Sequence, residues 1–152
     1  MREFPHHYTV SAAATPGGDV SLSGEQLTGL VSAPPAEFDG PGDRWSPETL
    51  LVGAVADCFV LTFRAIAKFA KLPWISLACD ATGTLDRLDR TPQFTAFVVH
   101  ASLAVPEGED LEQARRLLAR AEHACLVSNS LKASCRFEAD AHVVETSAVN
   151  AA

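Results

Sequence analysis

The longest apolar stretch of the chain covers residues 50–63 and is hydrophobic on nearly every side of a helix. It follows Ser46-Pro47-Glu48, a typical helix start: serine caps free amides, proline suits the first helical position, and glutamate favours the positive end of the dipole. Pro73 predicts that the helix ends near Lys71. Because a sheet covers only one face of a helix, the pattern predicts a long buried central helix whose other faces pack against a second helix or a partner subunit.

The same stretch does not predict a membrane span. A span requires about 20 apolar residues, whereas Asp57 interrupts this stretch and Arg64 and Lys68 follow it. The N-terminus has no apolar run after its charged start, so it does not resemble a signal peptide. We therefore expect a core helix, no membrane association and a cytoplasmic location.

Short alternating segments before the helix predict three strands. They cover residues 6–14, 20–23 and 27–32, and residues 15–19 carry a strong turn signal between the first two. Residues 34–45 contain three prolines and two glycines, which predicts a loop.

The second half of the chain predicts a hairpin, an amphipathic helix and a last strand. The expected elements are strands at 74–88 and 93–105 joined by the charged segment DRLDRTP, a helix at 109–123, and a strand at 134–145. The tail, residues 146–152, is expected to be frayed. The order β-β-β-α-β-β-α-β predicts an α+β fold with helices on one face of the sheet, and the length of 152 residues predicts one domain, 1–152.

Composition and charge narrow the function classes. The hydrophobic fraction of 47% and the charged fraction of 20% are typical of a soluble globular protein. The net charge of −7 argues against a nucleic-acid partner, whose binding needs a positive surface. No CxxC pair is present and the five histidines are scattered, so we predict neither a metal site nor a cofactor.

Two of the four cysteines lie in unlike surroundings that favour redox chemistry. Cys58 lies inside the apolar helix, where its thiol reacts only if a cation stabilises the thiolate; packing as a small hydrophobe is the alternative. Cys125 follows the second helix, near His123, where a less constrained thiol suits a residue that must move to form a disulfide. Cys79 and Cys135 occupy inward-alternating strand positions, which favours plain packing.

Charged residues near Cys58 in sequence are further candidates. Asp57 would place a charge inside the apolar stretch, and a buried charge requires a partner. Arg44 and Arg64 are the nearest arginines in sequence that could stabilise the thiolate. Glu48 lies about 15 Å from Cys58 along a straight helix, so it could act only by holding an arginine. Its alternative role is to favour the helix dipole.

Two segments resemble the cysteine motifs of a known family. FDGPGDRWSPETLLVGAVADCFVLTFRAIA and AEHACLVSNSLKA are similar to the first and second motifs of the OsmC/Ohr family of peroxide-reducing proteins. The strand order and the separation of the cysteines also agree. The resemblance implies an OsmC-like fold and an intertwined homodimer with two active sites at the subunit interface. It also implies that Cys58 is the peroxidatic cysteine, that Cys125 is the resolving cysteine, and that Glu48 pairs with a catalytic arginine.

The chain departs from this family at several positions. Between Thr9 and Asp43 it has no arginine, so Arg44 is the best substitute for the catalytic one. Asp57 replaces a small residue before the first cysteine, and Leu126 replaces a frequent proline after the second.

These residues predict a thiol peroxidase that reduces organic hydroperoxides, and hydrogen peroxide as a further substrate, through a sulfenic acid and a Cys58–Cys125 disulfide. A dithiol or a thioredoxin-like protein would restore the thiols. An apolar pocket formed by Phe59, Phe63 and Trp45 would favour alkyl substrates. Two alternatives stay open: a non-catalytic protein that binds an apolar ligand in the dimer-interface cavity, and a thiol redox sensor.

Overall fold

The computed structural model describes residues 3–145. The chain forms two compact units, Met1–Leu51 and Val52–Ala152. The expectation of a frayed tail at residues 146–152 lies outside the described residues. The single-domain organisation stays a prediction.

The N-terminal unit contains a small antiparallel sheet with strand order β1-β2-β3. The strands are β1 (Ser11–Ala13), β2 (Val20–Ser23) and β3 (Leu30–Ser32). The prediction for β2 is confirmed, whereas β1 and β3 are shorter than predicted because β2 offers only four residues to pair with. The predicted loop contains one 3-10 turn, Ala36–Phe38.

The central helix α1 (Pro47–Ala70) confirms the predicted start and end. The Thr49 amide donates to Ser46 Oγ at 3.2 Å, and the Ser46 amide donates to Thr49 Oγ1 at 2.8 Å. This reciprocal pair satisfies two amides that a helix start otherwise leaves free. At the other end Lys71 has a left-handed φ of 55°, and the Leu72 amide donates to Ala67 O at 3.0 Å, which closes the last turn.

One stripe of α1 is buried and much of the rest is uncovered. Val55, Phe59, Phe63 and Ala67, spaced four residues apart, form the buried stripe. By length and composition α1 could cross a membrane, and 22% of its most apolar window is buried inside the chain. The core helix of a soluble protein passes the same test, and this stripe packs in a core. Phe69 is 86% exposed, so an apolar face of α1 stays open in the single chain.

The C-terminal unit has a second sheet of order β4-β5-β6. Its strands are β4 (Ser76–Leu88), β5 (Thr91–Pro106) and β6 (Ser134–Val144), with β5 antiparallel to β4 and parallel to β6. The prediction that DRLDRTP forms a connection is wrong for most of that segment. Asp89 and Arg90, with φ of 50° and 70°, make a two-residue turn, and the strands pair up to it. The helices of this unit cover one face of this second sheet.

Helix α2 (Leu111–Ala124) is capped by Asp110, whose side chain accepts from the Glu112 amide at 2.8 Å. A short helix α3 (Leu126–Asn129) follows it and was not predicted. The core of this unit joins the stripe of α1 to apolar residues of α2 and of the inward sheet face, namely Ala114, Leu117, Leu118, Ala121, Ala101, Leu103, Val105 and Ala141. Both cysteines of the predicted redox pair lie at this core.

Candidate active site

Cys58 lies at the edge of the buried stripe of α1. It is half-buried and adjacent to Phe59, which is fully buried. The Cys58 Sγ lies 4.0 Å from the hydroxyl of Thr62, one turn further along the helix. Because the thiol sits beside the stripe rather than within it, it packs against the core and keeps part of its surface accessible.

Cys125 lies at the junction of α2 and α3 and is fully buried. Its amide donates to Glu122 O at 3.3 Å, and its carbonyl accepts from the Asn129 amide at 3.0 Å. The Asn129 side chain also donates to His123 O at 3.0 Å, which ties α3 back to the end of α2. The predicted position of Cys125 at the end of a helix is confirmed. The expectation that its thiol is less constrained there is wrong, because the unpredicted helix α3 fixes the Cys125 backbone on both sides.

The Cys58 and Cys125 thiols are neighbours and both are free. Cys125 belongs to the core of the C-terminal unit and Cys58 packs against it. Burial raises the pKa of Cys125, hydrogen bonds from Ser128 lower it, and the nearby Cys58 raises it again. The Ser128 hydroxyl donates to Cys125 Sγ at 3.1 Å. The residues that the sequence singled out as a redox pair are thus brought together by α1 and by the α2–α3 junction.

The other two cysteines lie at the same place. The prediction that Cys79 and Cys135 face inward is confirmed, since Cys79 pairs with Ala101 and Cys135 with Phe97 on the core face of the sheet. Burial, then Asp80 and Cys125, raise the pKa of Cys79 to about 11. The Cys135 thiol donates to the Ser128 hydroxyl at 3.9 Å. The sequence did not indicate that these cysteines gather around Cys125, because that depends on strand register.

Among residues 3–145, no group of three or more His, Cys, Asp or Glu side chains is arranged to hold a metal ion.

Arg44 is engaged by two carboxylates of the N-terminal unit. Its Nε lies 3.1 Å from Asp19 Oδ2, and a terminal guanidinium nitrogen lies 2.8 Å from Asp43 Oδ2. The hydrogen bond to Asp19, followed by the charge of Asp43, raises the pKa of Arg44. Its role as the activating cation stays a prediction, and it requires the guanidinium to exchange these partners.

Glu48 lines a cavity of about 480 Å³ within the N-terminal unit. The other walls are mostly apolar and include Val20, Leu22, Ala33 and Phe38. Glu48 Oε2 is buried and has no hydrogen-bond partner in the described part of the chain. A buried carboxylate oxygen without a partner is costly, so this atom is suited to accept a hydrogen bond from a donor that reaches it.

The three aromatic residues predicted to form a substrate pocket have other contacts. The Phe59 ring packs against Phe137 with centroids 5.2 Å apart, and the Phe63 ring meets Trp74 at 5.7 Å. Both phenylalanines are 0% exposed. Trp45 is 51% exposed. Their role as pocket walls stays a prediction beside this packing role.

Asp57 does not become a buried charge within the chain. Its side chain is exposed on α1, on a side away from the buried stripe. The expectation that it needs a buried partner is therefore wrong for the single chain, because the helix turns Asp57 outward one residue before Cys58.

Comparison with known proteins places this arrangement in a family. The family model described as OsmC-like protein matches residues 40–140, which include both Cys58 and Cys125. An uncharacterized protein of Bacillus subtilis, YmaD, is 26% identical over 145 residues, covering 91% of this chain and 95% of that protein.

Solved structures agree with the fold. An OsmC-like protein of unknown function from Vibrio cholerae has a TM-score of 0.82 at 14% identity, covering 89% of this chain and 99% of that one. An organic hydroperoxide resistance protein from Legionella pneumophila has a TM-score of 0.71 at 22% identity, covering 93% and 100%. A putative organic hydroperoxide resistance protein from Vibrio cholerae has a TM-score of 0.63 at 26% identity, covering 92% and 95%. With its two cysteine motifs inside the matched region, the chain belongs to the OsmC-like protein family.

Proposed function

We propose that this protein is a thiol-dependent peroxidase that reduces organic hydroperoxides, and also hydrogen peroxide, to alcohol and water. The observation that carries the proposal is the neighbouring pair of free thiols, Cys58 half-buried and Cys125 fully buried, at one core. The family and its organic hydroperoxide resistance members support the same substrate class.

The chemistry has two steps that balance within the chain and its substrate. The Cys58 thiolate attacks the distal peroxide oxygen, the O–O bond breaks, and the alcohol leaves with one proton. The Cys58 sulfenic acid then condenses with the Cys125 thiol, forming the S–S bond and releasing water. A dithiol or a thioredoxin-like protein reduces the disulfide and restores both thiols.

Two charged residues are proposed to support the first step. A cation is needed to stabilise the Cys58 thiolate, and Arg44 is the candidate. Glu48 would hold the guanidinium, and its unpartnered Oε2 supports that role. Arg44 would have to leave Asp19 and Asp43, which an exposed ion pair permits because such pairs contribute little.

We also propose that the chain acts as a cytoplasmic homodimer. The uncovered apolar face of α1 supports a second subunit, because an exposed apolar surface of this kind is unfavourable in water.

The test is the steady-state consumption of cumene hydroperoxide and hydrogen peroxide with a dithiol reductant. Wild type should consume the organic peroxide faster, and Cys58→Ser should abolish consumption. Cys79→Ser is the matched control and should leave the rate unchanged. Equal activity in wild type and Cys58→Ser would overturn the proposal.

A second candidate function is non-catalytic binding of an apolar ligand. The cavity beside Glu48, with its apolar walls and one buried carboxylate oxygen, favours it. Mass spectrometry of the natively purified protein should then detect a retained ligand, and Glu48→Gln should weaken its retention. Unreactive thiols in the same preparation would favour this function over the peroxidase.

A further inference from the structure

The Ser128 hydroxyl joins two thiols in a directed chain of hydrogen bonds. The Cys135 thiol donates to Ser128 Oγ at 3.9 Å, and the Ser128 hydroxyl donates to Cys125 Sγ at 3.1 Å. Both sulfurs therefore lie within 4 Å of one oxygen atom. This contact is separate from the one between Cys58 and Cys125, so Cys125 has a thiol neighbour on each of two elements, α1 and β6.

The exposure of these thiols differs in a way that matters for reduction. Cys125 is 0% exposed, whereas Cys135, near the start of β6, is half-buried. An external thiol must reach one sulfur of a disulfide in order to cleave it. A disulfide that includes Cys135 therefore offers a reductant a second route besides the Cys58 sulfur.

We propose that Cys135 is a third redox-active thiol. It attacks Cys125 in the Cys58–Cys125 disulfide, forms a Cys125–Cys135 disulfide in its place, and so releases Cys58. This inference rests on the proposed peroxidase function. It adds a step that two cysteines alone cannot perform, namely recovery of the Cys58 thiol before any external reductant acts.

The step is a thiol–disulfide exchange and needs no further reactant. The Cys135 sulfur attacks Cys125 Sγ, the Cys125–Cys135 bond forms, and the Cys58–Cys125 bond breaks. Cys58 leaves as a thiolate and takes up the proton that Cys135 loses. The Ser128 hydroxyl, which lies between the two reacting sulfurs, turns aside as the bond forms.

Cys79 is the nearby thiol that does not serve this role. Burial and the charge of Asp80 raise its pKa to about 11, so it is almost entirely protonated at neutral pH. The pKa of Cys135 is also raised, by burial and by the charge of Glu122, but there the hydrogen bond with Ser128 opposes the shift. Cys79 thus provides a matched control in the same core.

Trypsin separates the four cysteines into different peptides, which makes each disulfide identifiable. The peptides are residues 45–64, 72–87, 121–132 and 133–136. Reduced protein is treated with one equivalent of cumene hydroperoxide without reductant, quenched at increasing times, alkylated and mapped by mass spectrometry. In wild type and in Cys79→Ser, the Cys58–Cys125 peptide pair should appear first. The Cys125–Cys135 pair, with Cys58 alkylated, should then replace it.

Two variants sharpen the result. Cys135→Ser should stop at the Cys58–Cys125 disulfide. Ser128→Ala should slow the transfer roughly fivefold, because one hydrogen bond between the two thiols is lost. A persistent Cys58–Cys125 disulfide with fully alkylated Cys135 in wild type would overturn the relay and leave the peroxidase intact.

A parallel reaction with diamide, a thiol oxidant, separates the two proposals. If all four thiols are still free to be alkylated after exposure to the peroxide, the peroxidase proposal fails. Diamide then forms the first disulfide, and the transfer is read as before. In the diamide reaction, replacement of the Cys58–Cys125 pair by the Cys125–Cys135 pair supports the relay, and a Cys58–Cys125 pair that persists unchanged overturns it.

Discussion

The hydroxyl of Ser128 donates a 3.1 Å hydrogen bond to the sulfur of Cys125. Burial raises the pKa of Cys125, and this contact lowers it, together with a hydrogen bond from the Ser128 backbone. It exists because α3 follows Cys125 directly, which brings a side chain three residues further on back over the thiol. The reactivity of the buried thiol thus depends on a neighbouring hydroxyl.

Ser128→Ala should slow formation of the Cys58–Cys125 disulfide. Without the hydroxyl the pKa of Cys125 rises further, so fewer molecules carry the thiolate at a given pH. In wild type the rate should increase as the pH rises towards the raised pKa, and in the variant the same increase should occur at higher pH. Stopped-flow oxidation with cumene hydroperoxide between pH 6 and roughly pH 10, the range over which cysteine pKa values usually fall, measures this shift.

The control for that variant is Ser130→Ala, because the Ser130 hydroxyl donates to Leu126 O at 2.8 Å instead of to a thiol. It removes a hydroxyl from the same segment and should leave the pH profile in place. Equal pH profiles for Ser128→Ala and wild type would show that the Ser128 hydroxyl does not lower the pKa of Cys125.

Phe59→Ala should destabilise the protein strongly. The ring is 0% exposed and packs on Phe137, so truncation leaves a cavity, and we expect a loss of about 3–5 kcal/mol in the free energy of unfolding. Phe4→Ala, at a residue 75% exposed, is the matched control and should change the free energy of unfolding by less than about 0.5 kcal/mol. Denaturant titration measures both. A stable Phe59→Ala protein with a raised KM for the peroxide would instead support the pocket role.

Arg44→Ala and Arg64→Ala distinguish the two candidate cations. If Arg44 stabilises the Cys58 thiolate, its removal should lower kcat/KM at least tenfold, whereas Arg64→Ala should have little effect. The midpoint of unfolding should be unchanged in both, because exposed ion pairs contribute little to stability. The reverse order of activities would assign the role to Arg64, and no loss in either would leave both arginines out of the mechanism.

Leu61→Glu should convert the proposed dimer into a monomer. Leu61 lies on the uncovered side of α1 and is 48% exposed, so a charge there would be buried without a partner in a helix-to-helix interface. Light scattering after size exclusion measures the mass. Arg120→Glu, at an exposed position of α2, is the control and should stay dimeric. A dimeric Leu61→Glu protein would place the interface elsewhere.

Local sequence signals predicted much of the fold, whereas features that depend on contacts between distant parts of the chain were not predicted. The bounds of α1 follow from Ser46, Pro47 and Pro73, which act within a few residues of themselves. The hairpin turn was predicted within DRLDRTP, but its restriction to Asp89 and Arg90 was not, because neither is a glycine or an asparagine, although both adopt a positive φ.

The candidate site shows the same division between features that local sequence predicted and features that depend on distant contacts. The two motifs identified Cys58 and Cys125, whereas the approach of Cys135 to Ser128 depends on the parallel pairing of β6 with β5. One partner of Arg44, Asp19, is equally non-local, whereas the other, Asp43, is its neighbour in the sequence. Sequence patterns carry no information on which side chains meet across a register of this kind.

The most direct test of the peroxidase is the fate of the Cys58 sulfur in Cys125→Ser. One equivalent of cumene hydroperoxide is added together with dimedone, which traps sulfenic acid, and the peptide of residues 45–64 is analysed by mass spectrometry. A dimedone adduct on Cys58 is expected in the variant, and in wild type a disulfide of Cys125, first with Cys58 and then with Cys135, is expected in its place. An unmodified Cys58 in both proteins after exposure to the peroxide would contradict it.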